Sequence, residues 1–274
     1  MPYKLLALDM DGTLLTSNKR IAPRTKESLA RLDAAGIPIS YCSGRCFSEL
    51  LDYPAELPFV RYGVLASGAV VYDFVARRTL AMHALDLDVL LQAMRIGARE
   101  ETMVHVMSAS VSVVRPADIP VMDRFGMGVY QGMFERICVR AEDLGAWAAA
   151  HPGEVVKVNF YHTSPEARDR TRERLVASGL PLTLANAEQT SVECSALGVS
   201  KAQGLQTLAD YVGCTMAEVV AVGDSDNDMA ALEAVGLPVA MGNATDAIRE
   251  VAHMVVADND HDGIAQAVSR IWGV

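Results

Sequence analysis

The chain has 274 residues, 51% of them hydrophobic, and a formal net charge of −10. That acidic balance argues against nucleic acid or an anionic membrane as partner, and no uninterrupted apolar run reaches the roughly 20 residues that span a bilayer. At a prior of about one domain per 150 residues, the length predicts two domains, each with a real core and no disordered tract.

Residues 4–8 read as a short buried strand that ends in Asp9-Met10-Asp11-Gly12-Thr13-Leu14. In an open α/β sheet, ligands bind in the crevice outside the carboxyl ends of the strands, and Asp9 and Asp11 can both reach it. Two carboxylates at one strand tip repel unless a cation or a shared proton intervenes. The pair therefore predicts a metal site or an acid/base dyad. A helix follows over 23–35, ended by Gly36, and a strand over 37–42 runs into Ser43-Gly44-Arg45. Ser43 also stands where it can cap a helix beginning near Arg45. Residues 62–67 lead into Gly68-Ala69.

The middle of the chain reads as a separate α/β unit over 84–187, leaving 1–83 and 188–274 as a discontinuous core. Its expected elements are a helix over 86–99, strands over 103–107, 111–114 and 136–139, and a helix over 141–150. A strand over 155–161, a charged helix over 165–177 stopped by Gly179, and a strand over 182–185 complete it. Together they predict one sheet with helices on one face. Met103, Met107, Met122, Met127 and Met133 crowd the first half and read mainly as core, although adaptable Met side chains also suit a tolerant lining. His105, His151 and His162 show no metal-ligand spacing, and Arg124 reads as an exposed charge. The core is expected to resume with a strand over 191–194 and a helix over 200–212.

A second apolar run over 219–222 is followed at once by Gly223-Asp224-Ser225-Asp226-Asn227-Asp228. One Asp-rich turn is ordinary turn chemistry; two of them after two apolar strands form an acidic cluster that needs neutralising. Mg²⁺ suits it, since that ion takes oxygen ligands and is usually held by one or two carboxylates plus a substrate phosphate. The five cysteines, Cys42, Cys46, Cys138, Cys194 and Cys214, make no Cys-x-x-Cys pair and read as free thiols in a reducing cytoplasm. Residues 1–4 lead straight into the first strand without a signal segment.

Asp9-Met10-Asp11-Gly12-Thr13 resembles the nucleophile motif of the haloacid dehalogenase superfamily, and Gly223 to Asp228 resembles its acidic fourth motif. Ser43-Gly44-Arg45 and Gly198-Val199-Ser200-Lys201-Ala202 resemble the second and third motifs, in the family's order. About thirty residues separate Asp11 from Ser43, and more than 150 separate Ser43 from Lys201. That insertion pattern is similar to the Cof-type phosphatase branch with a type IIB cap. Gly68-Ala69 matches its Asn-Gly-Ala segment except that Ser67 replaces Asn, and Gly242-Asn243-Ala244 and Asp262-Gly263-Ile264 resemble late family segments.

The resemblance implies a Rossmann-like, doubly wound parallel-sheet core with an inserted α+β cap, and a Mg²⁺-dependent phosphatase acting on a small phosphorylated metabolite such as a sugar phosphate. It implies Asp9 as nucleophile, forming an aspartyl-phosphate, and Asp11 as acid and base. Asp9, Asp224 and the Asp11 carbonyl would hold Mg²⁺, with Asp228 holding metal-bound water or orienting Lys201. Ser43, Gly44, Lys201 and Asn227 would bind phosphate or substrate; Asn243 is expected either to touch substrate or to shape a turn. The enzyme is expected to be cytoplasmic, a monomer or small homo-oligomer. A phosphomutase of the same superfamily and a non-catalytic phosphometabolite sensor are the alternatives.

Overall fold

The computed structural model describes residues 3–51, 53, 55–186 and 188–274. It divides into two compact units: Met1–Gly44, Asp52–Ala81 and Ser200–Val274 form one, and Arg45–Leu51 with Met82–Val199 form the other. The expected cap end at Ala187 lies outside the described residues.

The first unit opens with β1 (Leu5–Leu8), α1 (Pro23–Ala34), β2 (Ile39–Cys42), β3 (Tyr62–Leu65), β4 (Val70–Asp73) and β5 (Arg78–Met82). All four side chains of β1 are buried, the pattern of a parallel strand covered on both faces. Pro23 starts α1, where its missing N–H costs nothing. Leu29 and Leu32 of that helix are fully buried, each contributing about 1.5–3 kcal/mol. Ser43 caps no regular helix: the next helical turn is a single 3₁₀ turn over Phe47–Leu50, entered from Cys46.

The second unit contains α2 (Leu87–Gly97), β6 (Thr102–Ser108), β7 (Ser112–Val114), α3 (Gln131–Ile137), β8 (Val139–Arg140), α4 (Leu144–Ala150), β9 (Val155–His162), α5 (Pro165–Ala177), β10 (Leu182–Ala185) and β11 (Ser191–Ala196). Its six strands lie in the order β10-β11-β9-β6-β7-β8. Val104, Val106, Val158, Phe160, Val192 and Cys194 pack with Leu90, Ala93, Leu144, Ala148 and Leu175 from α2, α4 and α5. Asp86 caps α2 and Ser164 caps α5 through their side-chain oxygens. Met103, Met122 and Met127 sit in a second buried cluster with Phe125, Phe134 and Tyr161, so these methionines are core.

Two expectations are corrected here. The strand over 136–139 gives way to α3, because burying Phe134 against Ile119 and Met122 favours a helical turn before the short strand β8. The strand at 191 does not return the chain to the core: β11 pairs antiparallel with both β9 and β10. Local pattern identifies a strand but not the sheet that accepts it.

The chain re-enters the first unit with α6 (Lys201–Val212), β12 (Val219–Gly223), α7 (Met229–Ala234), β13 (Leu237–Ala240), α8 (Asp246–Val251), β14 (Met254–Val255) and α9 (Gly263–Trp272). The eight-stranded sheet has the order β14-β13-β12-β1-β2-β3-β4-β5. Strands β14 through β3 run parallel, and β4 is antiparallel to β3. Leu205, Leu208 and Ala209 of α6, Ala231 and Leu232 of α7 and Ile248 of α8 cover one face, and α1 packs on α9. This is the α/β, Rossmann-like architecture expected. Register places Leu8 beside Val222, so the two acidic turns leave adjacent parallel strands at their carboxyl ends.

Candidate active site

Pairing of β1 with β12 explains why residues more than 200 positions apart meet. The Asp9 amide donates to the Val222 carbonyl at 3.0 Å, which fixes the nucleophile-motif turn against the fourth-motif turn. Gly12 adopts φ +83°, and a Cβ there would collide with the Asp224 carboxylate; only glycine gives both the left-handed backbone and the space. At Gly223 a Cβ would meet the Asp228 carboxyl carbon at 2.5 Å. Thr13 donates its hydroxyl to Asp224 Oδ1 at 2.7 Å.

Lys201 begins α6, with Ser200 as its cap, and its side chain is fully buried. Its Nζ lies 2.6 Å from Asp9 Oδ1, 2.6 Å from Asp228 Oδ1 and 3.3 Å from Asn227 Oδ1. The other Asp228 oxygen accepts from the Asp224 and Ser225 amides at 3.0 and 3.2 Å. Asn227 Oδ1 also accepts from the Ser225 hydroxyl. Asp228 and Asn227 thus tie the turn to the lysine.

Asp9, Asp224 and Asp228 offer carboxylate oxygens that all lie within 4.8 Å of one another, the one such convergence of acidic, His or Cys groups among the described residues. Burial pushes the Asp9 carboxyl well above the ordinary range and the Asp228 and Asp224 charges add to this, against the pull of Lys201. Burial and the Asp228 charge raise Asp224 to about 7, opposed by the Thr13 hydroxyl. Burial lowers Lys201, but Asp228 and Asp9 outweigh it and hold the ammonium well above its ordinary value. One ammonium therefore leaves the trio short of positive charge.

The Asp11 carboxylate stands apart from that trio and meets Lys19 Nζ at 2.7 Å. Ser43 is buried beside the strand tips, its amide donating to Val64 O at 2.8 Å and its carbonyl accepting from the Ser67 amide at 3.0 Å; Gly44 follows it. Ala66 and Ser67 both have positive φ, 48° and 58°, a strained pair of a kind found at functional turns. Burial pushes the Cys42 thiol up to about 12, so it stays protonated and is not a reactive thiolate.

Asn243, expected either to touch substrate or to shape a turn, shapes a turn here: its side-chain NH₂ donates to Gly12 O at 2.8 Å and its side-chain carbonyl accepts from the Asn259 backbone amide. Two further contributors were not visible in the sequence. Asn259 donates to Leu15 O, and Asp260 accepts from both the Ser17 amide and hydroxyl. The acidic run before Gly263 was the available signal. In the cap, Arg124 is an exposed partner of Glu101, His151 bonds Trp147 O, and His162 bonds Thr190 O and Thr171; none joins a metal-ligand cluster among the described residues.

Residues 6–268 match the family model described as haloacid dehalogenase-like hydrolase. The chain belongs to the haloacid dehalogenase-like hydrolases. Within that family it is a phosphatase of the Cof-type branch, similar to 5-amino-6-(5-phospho-D-ribitylamino)uracil phosphatase YitU of Bacillus subtilis, at 31% identity over 100% of this chain and 98% of that protein. It is also similar to pyridoxal phosphate phosphatase YbhA of Escherichia coli, at 29% identity over 98% of each chain. A haloacid dehalogenase-like hydrolase structure from B. subtilis superposes with a TM-score of 0.87 at 25% identity, covering 98% of this chain and 99% of that one. No helix among the described residues is long and apolar enough to cross a membrane.

Proposed function

We propose that this hydrolase is a Mg²⁺-dependent phosphatase that cleaves a small phosphorylated metabolite through an aspartyl-phosphate on Asp9. The observation that carries this reading is the convergence of the buried Asp9 and Asp228 carboxylates, both on the buried Lys201 ammonium, with the half-buried Asp224 carboxylate at the carboxyl ends of β1 and β12. An all-oxygen, net-negative donor set fits a hard divalent cation and not a soft one. Asp9, Asp224 and the Asp11 carbonyl would hold the ion, with Asp228 holding Lys201 and the turn. When bound, Mg²⁺ neutralises phosphoryl charge that would otherwise repel the nucleophile.

The chain's own groups perform the two displacements. Asp9 attacks phosphorus, and the bond to the leaving oxygen breaks while Asp11 gives that oxygen a proton. Asp11, now a carboxylate, takes a proton from the water that attacks the aspartyl-phosphate, and inorganic phosphate leaves with Asp9 restored. Lys201 neutralises nonbridging oxygens, and the Ser43 hydroxyl and Gly44 amide donate to them. In phosphoryl transfer such positioning and electrostatics provide most of the acceleration. The two named relatives act on a phosphorylated ribityl-uracil and on pyridoxal phosphate, which supports a metabolite carrying a primary phosphate ester.

Phosphate release from a panel of phosphorylated metabolites, with Mg²⁺ and with chelator, tests the reading. Metal-dependent release from at least one ester supports it. Transfer of phosphate to a second sugar hydroxyl would mark a mutase instead, and binding without turnover a sensor.

A further inference from the structure

Ala66, Ser67 and Gly68 carry the chain from β3 into its antiparallel neighbour β4, and all three have positive φ, at 48°, 58° and 100°. A tight hairpin with successive left-handed residues ordinarily takes Asn or Gly there, because a Cβ disfavours that backbone; here Ala and Ser accept it, and both are buried. The turn touches two other segments through main-chain atoms. On one side, the Ser67 amide donates to Ser43 O at 3.0 Å and the Ser43 amide donates to Val64 O at 2.8 Å, so both peptide groups flanking Ser43 are tied to the end of β3 and its turn. On the other side lies the start of α6. A Cβ on Gly68 would stand 2.0 Å from Ser200 O and 3.0 Å from the Lys201 nitrogen. The approach is mutual: a Cβ on Gly204 would stand 2.5 Å from Val64 Cγ1 and 3.0 Å from Gly68 Cα. Gly204 donates its amide to Ser200 O at 3.0 Å, so the first turn of the helix bearing Lys201 rests directly on the 66–68 main chain.

We propose that the turn over Ala66, Ser67 and Gly68 is a positioning element that sets Ser43 and Lys201 in fixed relation to one another, and so sets the shape of the phosphate grip. The inference rests on the phosphatase reading, in which these two residues hold nonbridging oxygens. Asp9 and Asp228 fix the tip of the Lys201 side chain at 2.6 Å each; the turn fixes the main chain from which it reaches. Close-packed backbones transmit a displacement instead of absorbing it. A methyl group forced into the seam between the turn and α6 therefore moves Lys201 relative to Ser43, and a misplacement of about 1 Å is enough to cost roughly 100-fold in rate.

Equilibrium dialysis of inorganic phosphate against the full-length chain, with Mg²⁺ present, tests the role. Gly204→Ala puts a methyl group into the seam without replacing Ser43 or Lys201, and alanine is the better helix former, so α6 itself persists. This variant should bind phosphate about tenfold more weakly. Gly68→Ala, which meets the Ser200 carbonyl head on, should lose more, and Gly204→Ala decides alone if that protein does not fold. Leu208→Ala is the control: it opens a cavity under α6 and lowers the melting temperature, yet leaves the seam intact, so its phosphate affinity should stay within about threefold of the parent. Gly204→Ala binding phosphate as the parent does, or Leu208→Ala losing as much affinity, overturns the positioning role. Ser43→Ala and Lys201→Met are the references. If the parent binds no phosphate, or neither reference weakens its binding, the assignment of those two residues to phosphate fails and the role of the turn fails with it.

Discussion

Lys157 and Lys201 are both sealed from solvent, one on β9 of the cap sheet and one at the start of α6. In the cap, Lys157 Nζ meets Glu193 Oε1 at 2.8 Å across the β9–β11 pairing. In the core, Lys201 meets Asp9 and Asp228 at 2.6 Å each, and an Asp224 carboxylate oxygen lies within 4.8 Å of theirs. No convergent acidic trio occurs in the cap among the described residues. A buried ammonium beside a carboxylate is a device of the fold, and its removal exposes a lone charge. A buried ammonium outnumbered by carboxylates remains an unfinished electrostatic arrangement, and it asks for a cation and an anionic substrate to complete it.

The comparison breaks most visibly at Asp9. Asp9→Asn keeps the side-chain volume and relieves repulsion, so the fold should persist while phosphate release falls on the order of 10⁴-fold or more. Retained turnover, followed by phosphate release, would refute the covalent route.

Next in size is the cap lysine. Lys157→Met should destabilise the protein by about 3–5 kcal/mol by taking the ammonium away from the buried Glu193 carboxylate, whereas Lys157→Met combined with Glu193→Leu should return close to the parent or exceed it. Urea unfolding midpoints of the three proteins decide this; a double variant as unstable as the single one would show that Glu193 is not the partner that matters.

Mg²⁺ should sharpen the contrast. At about 100 times its Kd the ion should stabilise the parent by about 2.7 kcal/mol, and Asp224→Asn should lose that gain while the Lys157→Met, Glu193→Leu pair keeps it. Equal stabilisation of all three in thermal melts would mean that the cation binds elsewhere.

The smallest effect concerns His105, opposite Asn159 in register and fully buried with neither ring nitrogen hydrogen-bonded among the described residues. Burial, helped by the Lys157 charge, lowers its pKa from 6.5 to about 3. The unfolded chain therefore takes up a proton first as pH falls below 6.5. Stability contributed by the neutral ring is complete above 6.5 and lost progressively towards 3, at up to about 1.4 kcal/mol per pH unit. His105→Leu should flatten that acid limb in urea midpoints taken at pH 7 and pH 5; an unchanged slope would assign it to other groups.

The core site was legible because each of its motifs hangs on the tip of a strand or the cap of a helix. Asp9 and Asp224 follow apolar runs directly, and parallel pairing of those runs suffices to bring them together. Lys201 and Ser43 were legible only through the family resemblance, since a lone Lys at a helix start or a lone Ser after a strand has no local signature. The cap resisted for the opposite reason. Lys157 and Glu193 look like solvent-facing positions of two alternating strands, and only the sheet order shows that they are buried partners. The same non-local choice put β11 in the cap sheet, and burial of Phe134 turned an expected strand into α3. Lys19 lay in plain view, but nothing short of the turn that Asp260 and Asn259 clamp shows that it points back to Asp11.

Calorimetric titration of the metal-free protein with Mg²⁺, beside Asp224→Asn, reaches the central claim most directly because it needs no substrate. One binding site in the parent, abolished or weakened at least about tenfold in the variant, is the predicted result. Absence of binding in the parent, or undiminished binding in Asp224→Asn, would contradict the account of the core trio as a cation site.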